Sequence, residues 1–223
     1  MRQAVKLLSG LIAVVASAGA LWMAGLAPAN GADHFDPPTR TDPNTTATPD
    51  VAADIADVYV FPTATGTVIS VDFGGPSATT LPAFYDRDLD FNLHISNAGA
   101  RTDDEFVINW RFGADPTRPN AFGIRLTGIP GTTGPIIMPV ETIQTLPNGV
   151  QVHAGLIDDP FNFDAAGLRE TRQTGFLSIR NDRNRFANMN STAVTFEFPN
   201  AVIRNGTQPI AVWATTHRIR SGL

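Results

Sequence analysis

The chain has 223 residues and a formal net charge of −5 at pH 7, and it contains no cysteine. Its only lysine is Lys6, so arginine is the sole permanent side-chain cation in the rest of the sequence. These counts exclude disulfides, thiol nucleophiles, zinc–thiolate sites and Schiff-base lysines after the first residues, and an acidic chain predicts no nucleic-acid partner.

The first 31 residues have the pattern of a secretory signal peptide. Arg2 and Lys6 precede an apolar run over residues 7–26, and small residues follow it over 27–32. A basic start, an apolar middle and a small-residue end are typical of an export signal. Because the apolar run approaches the roughly 20 residues that span a bilayer, an uncleaved anchor is the alternative and would be the only membrane contact. The sequence therefore predicts an exported bacterial protein, periplasmic or extracellular.

Residues 32–52 predict an extended arm, because they are rich in Pro, Thr and Asp and contain almost no apolar side chains. Cleavage after Gly31 would place His34 third in the mature chain. A terminal amine, two backbone amides and a histidine at that place form a square-planar nitrogen set that suits Cu(II) or Ni(II). His34 and Asp36 are therefore candidate metal ligands, and a solvated arm is the alternative.

Residues 53–223 predict a single domain that is mostly β. Short runs with strand character are separated by Gly, Pro and Asn, and eight such runs favour an antiparallel β-sandwich or a barrel-like domain. One or two short helices complete it: residues 165–170, with Asp164 as the cap, and a second turn at 183–187. The predicted strands are 54–61, 67–73, 89–96, 105–112, 121–127, 149–156, 193–198 and 209–215.

Alternating polar residues around the third predicted strand suggest a cation site. Asp86, Asp88 and Asp90 have the spacing of a calcium loop, but the sixth and twelfth places hold Phe91 and Asn97 instead of Gly and Glu, which excludes an EF-hand. Period-two alternation puts residues 88, 90, 92 and 94 on one face of a strand, where they could offer oxygen and imidazole ligands. The alternative is a solvated polar face that follows a turn at 85–88. The residues on this face are Asp88, Asp90, Asn92 and His94.

Asp158 and Asp159 form the other acidic candidate. Two adjacent carboxylates can share a proton or a cation, as general acid and base or as metal ligands. The alternative is a turn at Pro160 that places two phenylalanines in the core. If His34, His94 and His153 converge with Asp57 or Asp158, a mononuclear metal site results.

Six segments spread over the chain after the signal carry a resemblance to a known family: 33–38, 53–61, 85–88, 93–97, 158–164 and 210–216. In this order they resemble a bacterial family of exported proteins of unknown function, the domain-of-unknown-function family numbered 4331. The resemblance implies a mostly β exported protein with no established activity. Two differences are visible: His34 is followed by Phe35 where the family opening resembles His-Arg-Glu-Ala-Pro, and the further C-terminal region of longer members does not follow residue 216.

Together these patterns predict a non-enzymatic module of the bacterial envelope that binds a small ligand, an envelope component or a divalent cation, either calcium or copper. The first alternative is a metal-dependent periplasmic enzyme, hydrolytic or redox, in which His and Asp ligands hold a metal-activated water. The second alternative is a structural or assembly module, which would show an uncovered apolar patch or sheet edge.

Overall fold

A computed structural model of the chain describes residues 50–118 and 120–219. The predicted signal segment, most of the predicted arm, and the candidates His34 and Asp36 lie outside the described residues. The predictions made for them stay predictions.

Ten strands, two helices and one 3-10 turn make up this part of the chain. The turn is Val51–Ala53, and the helices are α1 (Ala165–Thr174) and α2 (Asn200–Ile203). The strands are β1 (Ile55–Pro62), β2 (Gly66–Ala78), β3 (Leu89–Ser96), β4 (Phe106–Ala114), β5 (Phe122–Thr127), β6 (Ile136–Pro139), β7 (Gln144–Thr145), β8 (Gln151–Asp158), β9 (Met189–Pro199) and β10 (Ala211–Arg218).

The strands form two antiparallel five-stranded sheets, which confirms the predicted mostly β fold. Sheet A has the order β1-β2-β9-β8-β7, and sheet B has the order β10-β3-β4-β5-β6. Each sheet turns an apolar face to the common core, because successive side chains of a strand point to opposite faces. The architecture is a β-sandwich.

The core is built from the apolar positions of the alternating strands. In β3, Leu89, Phe91, Leu93 and Ile95 are buried and the residues between them are partly exposed, as the sequence pattern predicts. The ring of Phe91 stacks on that of Trp110 with centroids 5.3 Å apart. Each fully buried side chain of this size contributes roughly 1.5–3 kcal/mol, so burial along these strands holds the sheets together.

Some predicted elements differ from the structure. Strand β2 continues to Ala78 through Gly74 and Gly75, because its pairing with β9, interrupted by an irregularity after Phe73, resumes with Ser77 opposite Asn190. The predicted turn 183–187 is observed as a turn at 185–188, and α2, β6 and β7 were not predicted. The cap of α1 at Asp164 is confirmed, since its side chain accepts a hydrogen bond from Gly167 N.

The two sheets meet along the edges formed by β1 and β10. Thr216 Oγ1 donates a hydrogen bond of 2.8 Å to the carbonyl of Ala53. Arg218 forms ion pairs with Asp50 and Asp86, which precede β1 and β3 respectively. Across the described ranges, no helix has the length and apolar character needed to cross a membrane.

Candidate functional site

Three aspartates approach one another on the outer face of sheet A, and we call Asp57, Asp72 and Asp159 the acidic cluster. Asp57 of β1 lies opposite Asp72 of β2 in the strand register, so both side chains point to the same face of the sheet. Asp159 follows β8 directly, and its carboxylate interacts electrostatically with Asp72. Asp72 is only 1% exposed. Two of the predicted candidates, Asp57 and Asp159, are thus brought together around a third carboxyl group that the sequence did not single out.

Asp72 has an unusual protonation equilibrium for a carboxyl group. Burial raises the pKa of Asp72 to about 7, and the charges of Asp57 and Asp159 act in the same direction. Hydrogen bonds to the carboxylate oppose this shift: Ser70 Oγ donates at 2.7 Å and Ser191 Oγ donates at 3.4 Å. Asp72 therefore exchanges a proton near neutral pH, which is the range useful for general acid–base chemistry.

Tyr59 completes the outer part of this cluster. Its hydroxyl donates a hydrogen bond of 2.9 Å to Asp57 Oδ2. Burial raises the pKa of Tyr59, and the hydrogen bond to Asp57 and the nearby charges raise it further. Tyr59 therefore remains a neutral hydrogen-bond donor at physiological pH.

The histidine candidates lie apart from this cluster. In residues 50–118 and 120–219, no group of three or more His, Asp and Glu side chains is arranged to hold a metal ion. His94 belongs to sheet B, and His153 lies opposite Thr195 in sheet A, one row from Asp72. Asp158 lies opposite Asn190 at the end of β8. The hypothesised convergence of His94 and His153 with Asp57 or Asp158 is not observed.

The predicted polar face of β3 is present on the outside of sheet B. Asp90, Asn92 and His94 are partly exposed between buried apolar residues. Asn109 Nδ2 donates to Asp90 Oδ1 at 2.8 Å and to Asn92 Oδ1 at 3.0 Å. Because these oxygens already accept from an amide, the contacts favour the alternative of a structural polar face.

The remaining candidates of this region have structural partners. Asp86 Oδ1 accepts from the backbone N of Asp88 at 2.8 Å, which forms the predicted turn. His94 Nδ1 lies 2.8 Å from Asp104, and Nε2 lies 3.2 Å from Thr215 Oγ1. The His94 ring also stacks on Trp213, with centroids 5.1 Å apart. These bonds fix the imidazole between two strands and a loop.

A cavity of about 950 Å³ opens on the outer face of sheet B, and Asp88 is the one residue of its lining that the sequence singled out as a candidate. Its floor is a row without long side chains, since Gly113 lies opposite Gly123 and Gly123 lies opposite Pro139. The adjacent row, two residues along, has Arg111 opposite Arg125. Because the side chains of the first row are short and those of the second row are long, a depression forms between them, and we call it the arginine trough.

The arginine trough is positively charged in an acidic protein. Four arginines and two aspartates line it, which leaves a net charge of +2. Asp115 pairs with Arg118 at 2.6 Å, and Asp88 lies 3.7 Å from an exposed Arg87. Arg111 donates a hydrogen bond of 3.0 Å to the carbonyl of Arg87. Among the described residues, neither Arg111 nor Arg125 is paired with a carboxylate. The lining charges are Arg87, Arg111, Arg118, Arg125, Asp88 and Asp115.

A second open cavity, of about 1000 Å³, lies beside α1. Its charged lining residues are satisfied within the protein: Arg180 pairs with Asp182, and Asp164 pairs with Arg183. The arginine trough is the stronger candidate for ligand binding because its central charges have no such partners.

The chain matches no model of a known protein family, no curated protein and no solved structure. The resemblance to the family numbered 4331 therefore stays a prediction.

Proposed function

We propose that the protein is an exported, non-enzymatic β-sandwich module that binds a ligand carrying a phosphate, sulfate or carboxylate group in the arginine trough. The export signal predicted from the sequence supports the location. The observation that carries the proposal is the pair of opposed arginines, Arg111 and Arg125, beside a floor of glycines.

The electrostatics of the trough favour an oxyanion. Like charges placed directly opposite each other on paired strands repel, and this repulsion destabilises the empty sheet. An oxyanion between Arg111 and Arg125 would remove the repulsion, and each guanidinium presents a planar fork of donors that matches such a group. Relief of the repulsion between the two arginines thus adds to the binding free energy of the ligand.

The shape of the trough suits a ligand with a larger body than a free ion. Gly113 and Gly123 allow close approach to the backbone, and the exposed side chain of Ile137 lies opposite Arg125 in the register. Apolar lining with a few convergent polar groups is typical of small-molecule sites. An anionic group at the arginines with an apolar or sugar-like body along Ile137 fits this surface.

A divalent cation at the acidic cluster is the second candidate, because two further carboxyl groups, Asp57 and Asp159, lie near the buried Asp72. A metal bound at the acidic cluster is also what the alternative of a metal-dependent enzyme would require, because that enzyme needs a metal-activated water. The spacing of the three groups among the described residues does not by itself form a metal site. A calcium titration followed by calorimetry separates the two candidates, since the trough binds anions and the cluster binds cations.

The direct test is a calorimetric titration with inorganic phosphate, repeated with sulfate and with a uronic acid to identify the class of anion. We expect Arg111→Gln and Arg125→Gln each to weaken binding by roughly ten- to a hundredfold, since a charge-assisted hydrogen bond contributes about 1.5–3 kcal/mol. Arg204→Gln is the matched control, because it removes an exposed positive charge near α2. Equal affinities for all four proteins would contradict the proposal.

A steric variant tests the same site without a change of charge. A Cβ atom added at Gly113 meets no atom within 4 Å, so Gly113→Leu is expected to fold and to fill the floor of the trough. Its affinity for the uronic acid should fall, because the larger ligand needs the floor. If Gly113→Leu binds the uronic acid as the wild type does, the ligand lies elsewhere.

A further inference from the structure

The loop that follows α1 exposes large apolar side chains to solvent. Phe176 is 78% exposed, Leu177 is 84% exposed and Ile179 is 48% exposed. We call these three residues the apolar tip. Single exposed apolar residues are ordinary on protein surfaces, but three within four positions form a local patch.

Hydrogen bonds hold the backbone of the apolar tip in place. Gly175 ends α1 in the left-handed conformation with φ 75°, which turns the chain out of the helix. The backbone N of Ser178 donates to Thr171 Oγ1 at 3.0 Å, and Ser178 O accepts from Arg183 at 2.8 Å. The loop is therefore held in place while its apolar side chains remain uncovered.

The start of α1 provides a second anchor for the same loop. The carboxylate of Asp164 accepts from Gly167 N at 2.7 Å and from Arg180 N at 2.9 Å. A Cβ at Gly167 would lie 2.6 Å from Ser178 O, so the close approach of the loop to the helix requires glycine. Both ends of the tip are thus tied to α1.

Exposed arginines precede and follow the apolar tip along the chain. Arg169 and Arg172 are exposed and lie three residues apart on α1, before the tip. Arg185 is also exposed, and within the described ranges none of these three arginines is paired with a carboxylate. The other two arginines nearby, Arg180 and Arg183, are paired with acidic residues. In residues 165–185, the exposed charges without an acidic partner in the described structure are therefore positive.

We propose that the apolar tip docks on the surface of an anionic lipid bilayer. Phe176 and Leu177 would enter the boundary between headgroups and acyl chains, and Arg169 and Arg172 would lie at the level of the lipid phosphates. Large apolar side chains next to basic ones are typical of segments that bind at a membrane surface, and the attraction grows with the negative charge of the lipid. This contact is separate from the arginine trough, which lies on sheet B.

The test is sedimentation with vesicles made of equal parts phosphatidylglycerol and phosphatidylcholine, compared with phosphatidylcholine alone. All proteins are prepared from the full gene in the same way, so that their N-termini are identical and any difference comes from the loop. We expect the double variant Phe176→Ser, Leu177→Ser to reduce the partition coefficient on the anionic vesicles by roughly tenfold or more. Its melting temperature should not change, because both side chains are exposed.

Two further variants separate the charge from the apolar contact. Arg169→Gln with Arg172→Gln should lower binding to anionic vesicles to the level found on phosphatidylcholine. Ile143→Ser is the matched control, since Ile143 is 67% exposed but lies outside the loop, and it should bind as the wild type does.

The proposal is overturned if the wild type does not sediment with anionic vesicles, or if the double serine variant sediments equally well. Gel filtration identifies the other use of the tip. If the wild type does not bind vesicles and the double serine variant has a different oligomeric state from the wild type, the tip is a contact between proteins and the proposal is overturned.

Discussion

Asp72 lies between Val71 and Phe73 in the strand, and those neighbours point into the core while its own carboxyl group points to the outer face of sheet A. The outer face is nevertheless closed at this point, so the carboxyl group is buried among hydroxyl groups and two other carboxylates. A carboxyl group in such surroundings is most stable when it is protonated.

This environment predicts a pH dependence of stability that belongs to one residue. The pKa of Asp72 rises from 3.8 to about 7 on folding, so between these values the native state binds more protons than the unfolded state. The contribution of Asp72 to the free energy of unfolding is complete below about pH 4. It is lost as the pH rises to about 7, and the loss is on the order of 1 kcal/mol per pH unit. Asp72→Asn should remove this slope, because the amide cannot ionise.

The measurement is urea unfolding of the wild type and Asp72→Asn at a series of pH values from 4 to 8. The difference between the two free energies of unfolding should grow in favour of the variant up to about pH 7 and then stay constant. Carboxylates that lose their partners in acid are the same in both proteins and cancel in the difference. Asp103→Asn, in the exposed loop between β3 and β4, is the control. Parallel pH profiles for the wild type and Asp72→Asn would show that the fold does not favour protonated Asp72.

At the scale of the elements, the floor of the arginine trough depends on two glycines that face each other on β4 and β5. They are not equivalent. A Cβ at Gly113 meets no atom within 4 Å, whereas a Cβ at Gly123 would lie 3.1 Å from the carbonyl oxygen of Met138. The open site of Gly113 is consistent with a role in shaping the cavity, and the tight site of Gly123 reflects its pairing with β6.

This difference predicts opposite effects of alanine at the two positions. Gly113→Ala should raise the free energy of unfolding by about 0.5 kcal/mol, because glycine in a strand loses more conformational entropy on folding than alanine does. Gly123→Ala should lower it, since the backbone of β6 must move to make room. Urea unfolding of both variants checks the order, and a less stable Gly113→Ala would mean that this glycine is required by the strand itself.

The elements that could be predicted from sequence are those with a strong local pattern. Strand β3 was predicted at its observed bounds because apolar and polar residues alternate along it. Helix α1 was predicted to end at residue 170, but it continues to Thr174; Arg172 and Gly175 are ordinary signals of a helix C-terminus that would have placed the end correctly. Strands β6 and β7 have four and two residues, too few to show a period.

At the scale of the whole molecule, sites depend on strand register, which a single sequence does not specify. Asp57 and Asp159 were candidates on local grounds, but their common neighbour Asp72 is found only from the pairing of β1 with β2. The same holds for Arg111 and Arg125, which are fourteen residues apart and meet only because β4 pairs with β5 in this register. Residue types and local patterns therefore indicated acidic candidate residues, whereas the arginine trough is recognised only from the strand pairing in the structure.

The closure of the sandwich gives a last prediction. Arg218, near the end of β10, contacts Asp50 before β1 at 2.6 Å and Asp86 before β3 at 3.1 Å, so one guanidinium joins the beginnings of both sheets. The hydrogen bonds that Arg218 donates to the carboxylates of Asp50 and Asp86 raise the pKa of its guanidinium despite partial burial, and the side chain stays charged.

Removing this charge should weaken the edge without unfolding the domain. Exposed ion pairs contribute roughly 0.2–1 kcal/mol each, and 1 kcal/mol corresponds to about 2–4 °C in a domain of this size. Because Arg218 forms two such pairs, we expect Arg218→Gln to lower the melting temperature by about 8 °C or less at low salt, and by less at high salt, because salt screens partly exposed charges. Arg87→Gln is the control, since the Arg87 side chain lies 3.7 Å from its carboxylate neighbour and is largely exposed, and its melting temperature should not change. If Arg218→Gln has the same melting temperature as the wild type at both salt concentrations, the apolar contacts between β1 and β10 alone close the sandwich.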